Sequence, residues 1–124
     1  NIIAYLYLPG TFTAVAEKLL NDEPEWFAPL LWRSEFRNIL AGYFRRGDLT
    51  IEQAKAIQSE AEALLAGNEF ELESNAVFEL VQSSNCSAYD CEFIALARKL
   101  GVQLITMDGK LLKAFPETAV ALRV

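Results

Sequence analysis

The run Val102-Gln103-Leu104-Ile105-Thr106-Met107-Asp108-Gly109 decides how the rest of the chain is read. Residues 102–106 are mostly apolar and β-branched at both ends, and a helical pattern stopping at Gly101 feeds them. They read as a short strand that hands a carboxylate, Asp108, to its own carboxyl end. In open α/β sheets that end is where ligands bind. Asp108 also suits the cap of a short helix over residues 110–115, so its position alone leaves both uses open.

Outward from that strand, helices alternate with short extended pieces. Ser87 caps a helix running to Leu100 and Gly101, and residues 118–121 form a last extended segment. Upstream, Thr11 or Thr13 starts a helix to about Leu20, and residues 21–24 make a polar break. Residues 25–28 form a short strand, and Pro29 opens a helix over residues 30–46 that stops at Gly47. Thr50 with Gln53 forms a capping box for a second long helix to about Ala66, followed by Gly67. Residues 69–72 read as a weak strand, and Ser74 caps a helix to about Gln82. Residues 2–8 read as a strand by composition. Short strands between longer helices imply a three-layer α/β domain whose short, mostly parallel central sheet is flanked by helices. With no linker or internal repeat, residues 1–124 form one domain.

Composition narrows the chemistry. The 124 residues carry 17 acidic and 11 basic side chains, a formal net charge of −6, and no histidine. This excludes Ser-His-Asp and Cys-His catalysis and histidine-ligated zinc or haem. With 52% apolar and 23% charged residues the chain is a folded globular domain rather than a disordered one. No apolar run is long enough to span a bilayer. Two cysteines, Cys86 and Cys91, lack zinc spacing and read as reduced cytoplasmic thiols. Charge is uneven: residues 47–97 hold ten acids and the single base Lys55, whereas residues 30–46 hold Arg33, Arg37, Arg45 and Arg46 against one acid, Glu35. That stretch is a solvated face or a phosphate-facing patch.

Three carboxylates stand in unusual places. On a helix over residues 30–46, Leu31, Trp32, Phe36, Ile39, Leu40 and Tyr43 form one apolar arc, and Glu35 lies inside its edge. A charge there reaches water, pairs, or holds a cation. Arg33 and Arg37 point off its face. Asp90 would be the third residue of the helix that Ser87 caps, where a carboxylate suits the helix dipole. Asp108 is the third. Glu92 points about 200° from Asp90 and is left out. Carboxylates gathered without histidine or thiolate suit a hard divalent cation, Mg²⁺ or Mn²⁺, that keeps several waters. The commonest use of such a site is hydrolysis of a phosphodiester.

These residues, in this order, resemble the PIN-domain nucleases, in particular the VapC-type ribonuclease toxins. Trp32-Arg33-Ser34-Glu35-Phe36 is similar to the family's glutamate-bearing helix. Ser87-Ala88-Tyr89-Asp90-Cys91, followed by Ile94-Ala95-Leu96-Ala97, is similar to its central aspartate at a helix start. Leu104-Ile105-Thr106-Met107-Asp108 is similar to its strand-end motif. Asn1 and the apolar residues after it resemble the end of the family's opening motif.

The resemblance implies a PIN-like fold over the whole chain, a helix rather than a strand at residues 2–8, and an N-terminal strand and first aspartate lying upstream of Asn1. It implies a Mg²⁺- or Mn²⁺-dependent endoribonuclease, the toxin of a type II toxin–antitoxin pair. Glu35, Asp90 and Asp108 would be its catalytic metal ligands, with Asn1 and Thr106 in support. Arg33, Arg37 and Lys110 would be candidate contacts to RNA phosphates. The implied partners are an RNA substrate, a small antitoxin and a second copy of the chain, in the cytoplasm and without a membrane. The absent aspartate motivates the alternative of a catalytically weak PIN-like module that binds RNA or protein.

Overall fold

A computed structural model describes residues 1–122. Residues 123 and 124, the last two of the expected domain, lie outside the described residues. The chain opens on helix α1 (Ile2–Tyr7), followed by α2 (Thr13–Asp22), strand β1 (Ala28–Pro29), α3 (Trp32–Arg45) and α4 (Ile51–Leu64). Strand β2 (Glu69–Phe70), α5 (Ser74–Gln82), α6 (Ala88–Leu100), β3 (Leu104–Thr106), α7 (Gly109–Ala114) and β4 (Ala119–Ala121) complete it. Helix-rich with short parallel strands, this is the expected α/β class. The strands bond as two separate parallel pairs among the described residues: β1 with β2, and β3 with β4.

Residues 2–7 are helical, against their composition and in line with the family resemblance, and Leu8 is extended after them. Ile3, Ala4 and Tyr7 share one helical face and pack on the cluster of Leu8, Trp32, Phe36, Leu40 and Leu65. Tertiary packing of one face outweighs the β propensity of an isoleucine-rich hexamer.

Pro29 does not open α3 as expected; it closes β1. The parallel pairing steps over its missing N–H, with Ala28 N–H donating to Asn68 O at 3.1 Å and Leu30 N–H to Phe70 O at 2.9 Å. Helix α3 therefore starts at Trp32, two residues later than the expected 30. Ser74 does not cap α5 either: it is the first helical residue, and Glu73 precedes it at the cap without a side-chain bond.

Other punctuation follows local chemistry. Thr50 and Gln53 form the expected capping box of α4. Ser87 Oγ accepts from Asp90 N–H at 3.1 Å at the start of α6. At the other end Gly101 takes φ 67°, the left-handed conformation in which a side chain is strained.

Two apolar clusters make up the core. One joins Val77 and Leu80 of α5 to Cys91, Ile94 and Ala95 of α6, Leu111, Phe115 and Ala119. The other is the cluster under α1, β1, α3 and α4. Helix α6 belongs to both, because Phe93 packs on the second while Cys91 and Ile94, fully buried, sit in the first. That placement puts the start of α6 beside α3 on one flank and α7 on the other.

Candidate active site

Each carboxylate singled out in the sequence is delivered by a different element. Glu35 sits in the first turn of α3. Asp90 sits in the first turn of α6, its amide held by Ser87. Asp108 follows β3 and caps α7, its Oδ1 accepting from Lys110 N–H at 2.9 Å and Leu111 N–H at 3.4 Å. Both bonds fall on one oxygen. Thr106, 5% exposed, accepts from Asp108 N–H at 3.1 Å, which fixes the backbone that aims the aspartate.

The elements meet where these side chains are. Asn1 lies within electrostatic reach of Glu35 and Asp108. Glu35 is within reach of Asp90 and Glu92. The start of α7 is tied to the start of α6 through Cys86, whose Sγ lies 3.9 Å from the Lys110 carbonyl oxygen. The structure thus brings Glu35 near Asp90, Asn1 near Glu35 and Asp108, and Thr106 against Asp108.

Electrostatics there run against ionisation. Glu35 is exposed, yet partial desolvation of its carboxyl, the largest cause, raises its pKa, and the negative charges of Asp90 and Glu92 add to it. Burial also pushes Glu92 up. None of the ion pairs among the described residues takes up Glu35, Asp90, Glu92 or Asp108. Neighbouring carboxylates without a cationic side chain are the setting a divalent cation relieves. Among the described residues no group of three or more His, Cys, Asp or Glu side chains is placed to hold a metal ion. A Mg²⁺ or Mn²⁺ ion that retains waters needs only one or two carboxylates directly.

Glu92, left out of the candidate set on its angle along the helix, lies within electrostatic reach of Glu35.

The candidate phosphate contacts divide. Arg37 and Lys110 are exposed. Arg33 is committed elsewhere: its Nε donates to Glu69 Oε2 at 2.6 Å, its Nη2 to Glu69 Oε1 at 2.7 Å, and its Nη1 lies 3.1 Å from Glu62 Oε1.

The sequence profile of the PIN domain matches residues 1–116. The chain belongs to the PIN-domain family. This PIN-domain protein is similar to Ribonuclease VapC3 of Pyrobaculum aerophilum, with 31% identity over 120 residues, 94% of this chain and 91% of the relative. Among the described residues no helix is long and apolar enough to cross a membrane.

Proposed function

We propose that this PIN-domain protein is an endoribonuclease that depends on Mg²⁺ or Mn²⁺, the toxin of a type II toxin–antitoxin pair acting in the cytoplasm. What supports the reading is that Glu35, Asp90 and Asp108 stand on three separate elements, with Glu35 close enough to Asp90 for their charges to interact and none of the three in an ion pair among the described residues. The similarity to a VapC ribonuclease over nearly the whole chain supports it.

Glu35, Asp90 and Asp108 would hold the ion, directly or through its waters. When bound, such an ion supplies Lewis acidity toward a phosphodiester and makes water a better nucleophile. The chain's own contribution is placement. Ser87 fixes the turn that bears Asp90, and Thr106 fixes the backbone at Asp108. Two α7 amides bind Asp108 Oδ1, and Oδ2 would be the oxygen that serves the ion. Arg37 and Lys110, exposed on α3 and α7, take RNA phosphates. A small antitoxin and a second copy of the chain complete the proposal. Phe27 and Leu30, 41% and 42% exposed beside β1, are apolar surface for such contacts.

Purified protein incubated with single-stranded RNA tests the activity. Cleavage is expected with Mn²⁺ and not with chelator, and Asp90→Asn should lower the rate at least about 100-fold. Wild type and Asp90→Asn cutting equally, or neither cutting with any divalent ion, overturns the reading.

A further inference from the structure

Helix α3 begins without a side-chain cap. Its cap position, Leu31, is already helical in conformation and makes no capping bond. What anchors this end comes from outside the helix. The Glu69 carboxylate, on β2, accepts from Trp32 Nε1 at 2.7 Å and from Arg33 Nε and Nη2 at 2.6 and 2.7 Å. Arg33 Nη1 reaches on to Glu62 of α4. Glu69 is 13% exposed on its side chain, and its pKa is lowered chiefly by the Arg33 hydrogen bond. Trp32 is 3% exposed and stacks at a tilt on Phe36, with 6.0 Å between ring centres.

Trp32 and Arg33 are adjacent, so they leave the helix about 100° apart around its axis. One carboxylate gripping both resists rotation of the helix, which a single bond would permit. The same β2 segment holds β1 through the backbone, pairing Ala28 with Glu69 and Pro29 with Phe70. The segment entering α3 and the first turn of α3 are thus referenced to one strand. Glu35 lies in the same first turn, about 4.5 Å along the axis from Trp32. A 20° rotation of α3 would swing a carboxylate about 6 Å off the axis through roughly 2 Å. Displacement of that size is enough to lose most of a catalytic rate.

We propose that Glu69 is a positioning residue that, through Trp32 and Arg33, sets the rotational orientation of α3 and so aims Glu35 at the site. This rests on the ribonuclease reading. It also assigns Arg33 to the clamp rather than to RNA, and the two roles separate kinetically. A lost phosphate contact raises KM, whereas a misaimed Glu35 lowers kcat and weakens divalent-ion binding.

The test compares full-length wild type, Glu69→Gln and Val77→Ala at a temperature where all three are folded. Val77 is a buried α5 residue outside the site, chosen to lower the melting temperature comparably. Two quantities are read: the Mn²⁺ concentration giving half of the ion-induced melting shift without RNA, and kcat and KM on RNA with Mn²⁺. For Glu69→Gln the Mn²⁺ midpoint should rise at least about fivefold and kcat fall at least about tenfold with KM nearly unchanged. Val77→Ala should leave both at wild-type values. Arg33→Lys, which keeps the charge and gives up the two-pronged grip, should repeat the Glu69→Gln pattern and replaces it if that variant does not fold. The inference alone is overturned if wild type binds Mn²⁺ and cuts RNA while the clamp variants match Val77→Ala, or if Arg33→Lys raises only KM. A wild type that neither binds Mn²⁺ nor cuts RNA overturns the ribonuclease reading and this inference with it.

Discussion

At Asp108 a capping role and a site role coexist because they use different atoms: Oδ1 accepts from the amides of Lys110 and Leu111, and Oδ2 stays available. The same economy holds at Asp90, whose backbone N–H completes the Ser87 cap while its carboxylate enters no ion pair among the described residues. Ser87→Ala should therefore cost about 1 kcal/mol of stability, measured by denaturant melts, and leave most of the Mn²⁺-dependent cleavage in place. Two glutamates respond to pH in opposite senses. Glu69 is held below its usual pKa by Arg33, so its contribution is present above the unfolded pKa near 4.5 and is lost as pH falls through the lower folded value. Glu35 is raised, first by burial, so its contribution is complete below that same pKa and is lost as pH rises through the higher folded value. Without divalent ion at pH 7, Glu35→Gln should thus melt no lower than wild type, and slightly higher, while losing cleavage. Glu69→Gln should melt lower at pH 7, and the gap should close as pH falls below 4. Thermal melts across pH check both signs.

Among the elements, α6 is the one on which the others converge. It carries Asp90 at its start, buries Cys91, Ile94, Ala95, Leu96 and Ala97 along its length, and ends at Gly101. Ile94 is 0% exposed, so Ile94→Ala should cost 2–5 kcal/mol, or about that range, in denaturant unfolding, without changing the site's residues. Gly101 sits at φ 67°, and Gly101→Ala should cost roughly 1–2 kcal/mol through the left-handed backbone alone. The element-level reading of the sequence held where local chemistry dictates the outcome: the Thr50–Gln53 box, the Ser87 cap, the glycine stop of α6. It failed where partners distant in sequence decide. Pro29 was placed in a helix because proline favours a first turn, but pairing with Phe70, far along the chain, made it the end of β1. Residues 2–8 are strand-like in isolation, and residues 2–7 are helical because Trp32, Leu40 and Leu65 offer one face to cover.

For the molecule as a whole, an acidic surface and a phosphodiester substrate are compatible if a cation mediates between them. A ligand that binds only the folded state stabilises it by about 2.7 kcal/mol at 100 times its dissociation constant. Mn²⁺ should accordingly raise the melting temperature of wild type and raise it less in Glu35→Gln, a comparison read by calorimetry. With Arg33 occupied by Glu69 and Glu62, Arg37 and Lys110 are the exposed pair left among the proposed phosphate contacts. RNA binding should then weaken with salt at a logarithmic slope of only about −1.4, two neutralised phosphates on a single strand, in fluorescence titrations. By itself the sequence carried the family resemblance and pointed to the carboxylates proposed for the site. The absence of histidine, the strand end at Asp108, the capped turn at Asp90 and the edge position of Glu35 are local properties, legible from composition and helical angle. Only the tertiary structure decided that Arg33 belongs to Glu69, that Glu92 shares the field of Glu35, and that the strands pair in two sets. The physical reason is range: a cap or a helix face is set within a few residues, whereas the Arg33–Glu69 contact joins groups 36 positions apart, and no local pattern encodes which distant carboxylate a guanidinium will meet.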